Sequence, residues 1–160
     1  MENLEYLSDH IENLEPIEGF NDCVADKTSY RMGEYWTLTY DFDKFRNKLG
    51  MSEAEFLNHI YKNFDYNKIS FVKFISKPTR NKIAKYDNKI LFADGFDNAL
   101  VGVRFGFEDN KNIAVYDYDE CITALTDEQD MDEEEAIEHI EYNTLGAYVG
   151  EYTPCFLMDL

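Results

Sequence analysis

The stretch MSEAEFLNHIYKN at 51 to 63 returns as MDEEEAIEHIEYN at 131 to 143, identical at six of thirteen positions. EGFNDCVA from Glu18 aligns with DGFDNALV from Asp94, and YDFDKFRNKL from Tyr40 aligns with YDYDECITAL from Tyr116, both at an offset of 76. After an inserted TDEQ the last block aligns at an offset of 80. Ordered blocks at nearly one offset mark a tandem duplication, so the chain is expected to build one supersecondary unit twice.

Each unit reads as a hairpin followed by two helices. In the second, Val101, Val103, Phe105 and Phe107 alternate as a half-buried strand, EDNKN turns the chain, and IAVY returns. In the first, Trp36, Leu38 and Tyr40 alternate after an RMGE turn. Asp41 and Asp117 are predicted N-caps of short helices that carry Phe42, Phe45 and Leu49, or Tyr118, Ile122 and Leu125. Ser52 and Asp132 begin the next helices, with Glu55 and Glu135 three residues on as capping boxes and Met51 and Met131 as staples. Asn63 and Asn143 are predicted left-handed C′ residues.

The expected class is therefore α+β, a tandem internal repeat of β-hairpin plus two helices packed as one domain about a pseudo-twofold axis. One copy of about fifty residues is marginal for an independent core, which is why the two are expected to share one. Repeat one runs approximately 18 to 63 and repeat two approximately 94 to 143. ISFVKFIS and NKILFA are predicted to pair as a basic β-hairpin connector over 64 to 93, and TPCFLM supplies a C-terminal strand within 144 to 160.

Charge narrows the function classes. The chain has 15 Lys and Arg against 33 Asp and Glu, a net charge of −18, which repels phosphate and attracts basic proteins. The distribution is uneven: −8 over 1 to 61, +6 over 62 to 93 and −16 over 94 to 160. Three scattered cysteines, Cys23, Cys121 and Cys155, lack metal-knuckle spacing and fit reduced cytosolic thiols. MENLEYLSDHIENLEP has no basic n-region and no apolar h-region, and no run of about eighteen apolar residues occurs. The protein is expected to be cytoplasmic, unprocessed and without a membrane span.

The copies also test candidate sites against each other. Glu55, His59 and Asn63 form a helical stripe repeated as Glu135, His139 and Asn143. With Asp117 and Asp119 these groups define an alternative reading as a metal-dependent enzyme. Capping, helix dipole and C-terminal chemistry account for the same residues, and an HExxH pair is missing. DYDECITALTDE places Asp117, Asp119 and Glu128 at EF-hand positions, but Ile122 stands where glycine is needed. GAYVG lacks the context of a phosphate loop. No catalytic residue, metal ligand or cofactor is therefore expected.

Acidity is what distinguishes the second copy. Where the first has Ala54, Asn58 and Tyr61, the second has Glu134, Glu138 and Glu141, joined by Asp127, Glu128, Asp130, Asp132 and Glu133. Like charges at helical spacing cost a few tenths of a kcal/mol per pair, so the fold gains nothing from them and a partner-facing role is expected. A second candidate surface is the basic segment, with Lys73, Lys77, Arg80, Lys82 and Lys85 available to touch nucleic acid or a partner, or to pair internally.

DGFDNALVGV, AVYDYDECI, MDEEEAIEHIEYN and GAYVGEYTP, in order over about 92 to 155, resemble a family of small proteins common in phages and prophages. The first copy matches it more loosely and lacks the GAYVGExTP tail. That family has no settled enzymatic activity, so the resemblance implies a mobile-element origin in a bacterial cell. Small acidic phage proteins are similar in size and charge to inhibitors of host defence, including anti-CRISPR proteins that block Cas9. The resulting expectation is a non-enzymatic inhibitor that meets a basic surface of a host nuclease, Cas9 with its guide RNA above all, or its HNH domain. Direct duplex DNA binding is not expected. The remaining alternative is a phage regulatory module contacting nucleic acid through the basic hairpin.

Overall fold

A computed structural model describes residues 17–25, 28–31, 35–64, 69–106, 111–145 and 150–158. Strand β1 (Thr28–Arg31), strand β2 (Tyr35–Asp41), helix α1 (Phe42–Leu49), helix α2 (Glu53–Asn63) and strand β3 (Ile69–Phe74) come first. A short helix α3 (Arg80–Ala84) precedes strand β4 (Leu100–Arg104), strand β5 (Ile113–Asp117), helix α4 (Tyr118–Glu128), helix α5 (Glu133–Ile140) and strand β6 (Cys155–Met158). The class is α+β, with a mixed sheet curled until it closes in the order β1-β2-β3-β4-β5-β6. Pairing is antiparallel except for β2 with β3 and β5 with β6, which run parallel and need the two-helix crossovers between them.

Local chemistry starts each helix as expected. Asp41 accepts from the Lys44 N–H at 3.0 Å and Asp117 from the Glu120 N–H at 3.1 Å. Ser52 with Glu55 and Asp132 with Glu135 each complete a reciprocal capping box. The predicted left-handed asparagines are corrected: among the described residues only Lys77 and Asp130 are non-glycines at positive φ. Asn63 instead turns its amide back to donate to the His59 carbonyl at 2.9 Å, which satisfies that acceptor without a backbone reversal. Met51 and Met131 both lie against the core.

Equivalent positions 76 residues apart behave alike. Ile17 N–H donates to the Tyr40 hydroxyl at 2.8 Å, and Ala93 N–H to the Tyr116 hydroxyl at 2.9 Å. Gly19 and Gly95, at φ 85° and 88°, supply the left-handed residue before the 3-10 turns Asn21–Cys23 and Asp97–Ala99. Tyr40 pairs with Phe71 across β2 and β3, rings 5.8 Å apart, as Tyr116 pairs with Phe156 across β5 and β6 at 5.6 Å.

The two faces of the closed sheet have different neighbours. Leu38, Tyr40, Phe71, Val103, Phe105, Tyr116 and Phe156 join Phe42, Phe45, Phe56, Ile60, Leu125, Ala136 and Ile140 in the main core, which is therefore the layer between sheet and helices. Val72, Ile113, Val115, Cys155 and Leu157 form a separate buried cluster on the alternate residues, which places them in the lumen. The hydroxyls of buried Thr37 and Ser70 meet on that inner face. Phe45 is the hub of the first half, with Phe20, Tyr40, Phe56, Phe64 and Phe71 rings 4.1 to 5.7 Å away. Phe45→Ala is expected to cost about 3–5 kcal/mol, read as a lowered denaturant midpoint. A loss below about 1 kcal/mol would show that this cluster does not organise the half.

The connector departs from expectation. Ile69–Phe74 is a strand, but 88 to 93 is not, and Arg80–Ala84 is a helix capped by Thr79, whose Oγ1 accepts from Lys82 N–H at 3.2 Å. No hairpin forms because β2 and β4 already occupy both edges of β3, leaving NKILFA no edge to pair with. TPCFLM does form a strand, at Cys155–Met158, inserted between β5 and β1. Most of the RMGE and EDNKN turns, Phe107 and most of GAYVG fall outside the described residues, as does the side chain of Trp36.

Candidate functional site

The acids of the second half are carried by α4, the turn after it and α5. Helix α4 buries Tyr118, Cys121 and Leu125 and runs out at Glu128. Asp130, at φ 52°, then reverses the chain so that Asp132 caps α5. Ala136 and Ile140 hold α5 on the core, with Ile137 half-buried. At about 100° per residue Glu134, Glu138 and Glu141 fall within roughly 60° of one another on another side.

Not all eight predicted residues have the same surroundings. Asp127, Glu128, Asp130, Glu133, Glu134 and Glu138 are exposed, and no ion pair to any of them is formed among the described residues. Asp132 is also exposed, but its carboxylate is committed to the capping box. Glu141 is half-buried near Tyr118, where burial, then Glu141 and Asp119, push the phenol up to about 12. Two grooves border these acids. Glu133 lines a groove between α4 and α5 with Asp119, Ile122 and Thr126, whereas Glu138 lines a second, open groove with Glu135, His139 and Tyr142.

The first half treats its acids differently. Lys48 reaches Asp22 at 2.6 Å, Arg46 reaches Asp43 at 2.7 Å, and Lys73 reaches Asp43 at 3.3 Å and Glu53 at 3.2 Å. Asp22, Asp43 and Glu53 are thus balanced by neighbours; the exposed acids of α4 and α5 are not.

Sequence reasoning passed over Tyr142. It follows α5 in a π-helical turn, Glu141–Leu145, and is 81% exposed beside Glu138 and His139. Its position relative to the stripe of Ala136, Ile137 and Ile140 was the available signal, since about 100° per residue turns it away from the core. Single-turn π segments are frequent at functional sites.

Three of the five basic candidates are committed internally. Lys73 stands between Asp43 and Glu53 with its ammonium 5.7 Å from the Phe42 ring centre. Burial lowers its pKa, but hydrogen bonds and charge from Glu53 and Asp43 more than offset that, so the net direction is up. Arg80 bridges Asp97 at 2.8 Å and Asp94 at 3.0 Å above the Phe92 ring. Lys82 donates to the Ser76 and Lys77 carbonyls at 3.1 and 2.8 Å. Lys77 and Lys85 are exposed and form no ion pair among the described residues.

The Glu and His stripes do not assemble a metal cage. His139 and His59 each face an asparagine amide, at 3.4 Å from Asn143 and 3.1 Å from Asn63. Among the described residues no group of three or more His, Cys, Asp or Glu is arranged to hold a metal ion. Asp117 and Asp119 belong to the start of a helix, not to a calcium loop. Cys23, Cys121 and Cys155 are buried thiols outside any disulfide. No helix among the described residues is long and apolar enough to cross a membrane. Comparison with protein-family models, curated proteins and solved structures finds no match in any of the three.

Proposed function

We propose that the chain is a non-enzymatic inhibitor from a phage or other mobile element, acting in the bacterial cytoplasm on a basic surface of a host defence nuclease. Cas9 carrying guide RNA is the favoured target, met at its HNH domain or at a nucleic-acid channel. The observation that carries this reading is the set of exposed acids on α4, α5 and their turn, Asp127, Glu128, Asp130, Glu133, Glu134 and Glu138, with no ion pair among the described residues. Mutual repulsion of Glu134 and Glu138 costs the helix a few tenths of a kcal/mol, which a basic partner would convert into attraction. Exposed Tyr142 adds an aromatic contact of the kind that anchors interfaces.

The reading also includes a duplication. Its support is the matching tyrosine hydroxyl bonds, caps and parallel strand pairs at equivalent offsets, which a pseudo-twofold between the halves would produce. On that view one copy kept its acids paired and structural, and the other gained an interaction surface. A metal enzyme and a nucleic-acid module through the basic segment have less support, because the carboxylate and histidine stripes do not converge and Lys73, Arg80 and Lys82 are engaged within the fold.

The test is DNA cleavage by Cas9 loaded with guide RNA, with the protein titrated in. The wild-type chain is expected to inhibit. A variant with Asp127, Glu128, Glu134 and Glu138 changed to lysine is expected to need roughly tenfold or more protein for the same effect. Equal inhibition by a folded reversal variant would remove the acidic surface from the mechanism, and no inhibition by the wild type would remove Cas9 as the target.

A further inference from the structure

Lys73 and Arg46 neutralise Asp43 and Glu53 in the first half, and neither base has a basic counterpart in the second. The Lys73 ammonium lies 3.2 Å from Glu53, 3.3 Å from Asp43 and 5.7 Å from the centre of the Phe42 ring, and Arg46 reaches Asp43 at 2.7 Å. At the offset of 76, Phe42, Asp43 and Arg46 correspond to Tyr118, Asp119 and Ile122; at the offset of 80, Glu53 and Leu57 correspond to Glu133 and Ile137. Strand register supplies the last equivalence. Lys73 lies two residues beyond Phe71, which pairs with Tyr40 in the parallel β2–β3 ladder, and Met158 lies two beyond Phe156, which pairs with Tyr116 in the parallel β5–β6 ladder. The acids and a ring are kept, while the bases become Ile122 and Met158.

The corresponding space is open. Tyr118, Asp119, Ile122, Glu133 and Ile137 line one groove of about 370 Å3 between α4 and α5. Met158 is buried in the core, whereas Ile122 and Ile137 are half-buried and give the groove apolar walls. Glu133 is exposed at its rim and forms no ion pair among the described residues. In the first half a glutamate and a ring at these same positions hold an ammonium, which is direct evidence of the ligand that such an arrangement takes.

We propose that the groove between α4 and α5 receives a lysine side chain from a basic protein partner, in the place that Lys73 fills in the first half. The Glu133 carboxylate accepts from the ammonium, the Tyr118 ring adds the attraction that the Phe42 ring gives Lys73, and the methylene stem lies along Ile122 and Ile137. Glu133 carries the contact, since Asp119 has other interactions. Phosphate is disfavoured by the carboxylates of the groove. The identity of the partner rests on the inhibitor reading; the chemistry of the groove does not.

Amide chemical shifts of the isotope-labelled protein test the proposal, in titrations with an acetylated Gly-Lys-Gly amide and with the same peptide acetylated on the lysine Nζ. Expected are saturable shifts at Ile122, Glu133 and Ile137 with the free lysine and none with the acetylated one. Glu133→Gln should weaken binding about tenfold or more, whereas Glu134→Gln, which removes the same charge outside the groove, should leave it within about twofold. Ile122→Arg restores the base of the first half and should fill the groove, abolishing peptide binding. Absence of saturable shifts, equal binding of the acetylated peptide, equal losses from Glu133→Gln and Glu134→Gln, or undiminished binding by a folded Ile122→Arg variant would overturn the assignment. Peptide binding without inhibition of Cas9 would remove that nuclease and keep the groove; inhibition of Cas9 without peptide binding would remove the groove and keep the inhibitor.

Discussion

Gly102→Ala is expected to destabilise the protein by roughly 3 kcal/mol, the upper end for overpacking a close contact. A Cβ at this position would collide with the carbonyl oxygen of Lys73, with the Lys73 carbonyl carbon at 3.0 Å and Phe74 Cα at 3.2 Å. All three are backbone atoms of β3, so no side chain can swing aside. Gly102 pairs with Phe74 and sits at a register shift in β4, where an irregular strand brings the two backbones together. The β3–β4 ladder joins the two halves of the barrel, so relief by strand separation would open the closed sheet. For a chain of this size the expected fall in melting temperature is about 10 °C. Calorimetry finding a change under about 2 °C would contradict this packing.

Alkaline pH should destabilise the protein through groups buried in its core. Burial foremost, then Asp117 and Glu120, pushes the Cys121 thiol from its ordinary 9.0 up to about 12. Burial raises Tyr116 from 10.0 to about 12 even though the Ala93 N–H and Arg80 pull the other way, and Tyr118 rises likewise to about 12. These groups are neutral when protonated, so between their unfolded and folded pKa values the native state holds protons that the unfolded chain releases. Stability is therefore unaffected by them below about pH 9 and falls as the pH rises from about 9 to 12. At about 1.4 kcal/mol per pKa unit the three together amount to several kcal/mol, comparable with the whole stability of a domain. Urea midpoints measured across that range should be flat at first and then drop steeply. Tyr116→Phe should flatten part of the drop, and midpoints unchanged up to pH 12 would show that these groups are not buried.

The helices were readable residue by residue. Asp41, Ser52, Asp117 and Asp132 cap the helices they were expected to cap, since an N-cap depends on atoms three residues away. The strands were readable as strands but not as partners. ISFVKF and CFLM occupy equivalent places beside β2 and β5, yet they share little sequence, so the first was assigned to a hairpin and the second to an addition at the end. The basic segment shows the same limit: its charge was evident, but Arg80 meets Asp94 and Asp97 only because α3 folds back against the start of the second half.

Covalent spacing along the chain thus accounts for the repeated blocks, the helix starts, the alternating strands and the excess of acid after residue 94. All of these depend on groups a few residues apart or on simple sums. Closure of the barrel, the division of each strand between lumen and helix layer, and the convergence of Asp41 with Asp117 at one mouth were settled by contacts between distant residues. A β-strand carries its hydrogen-bonding groups along both edges and leaves no local trace of which strand will satisfy them. The same holds for charge: sequence counts acids, but whether each is balanced or left exposed depends on which base the fold brings within a few ångströms.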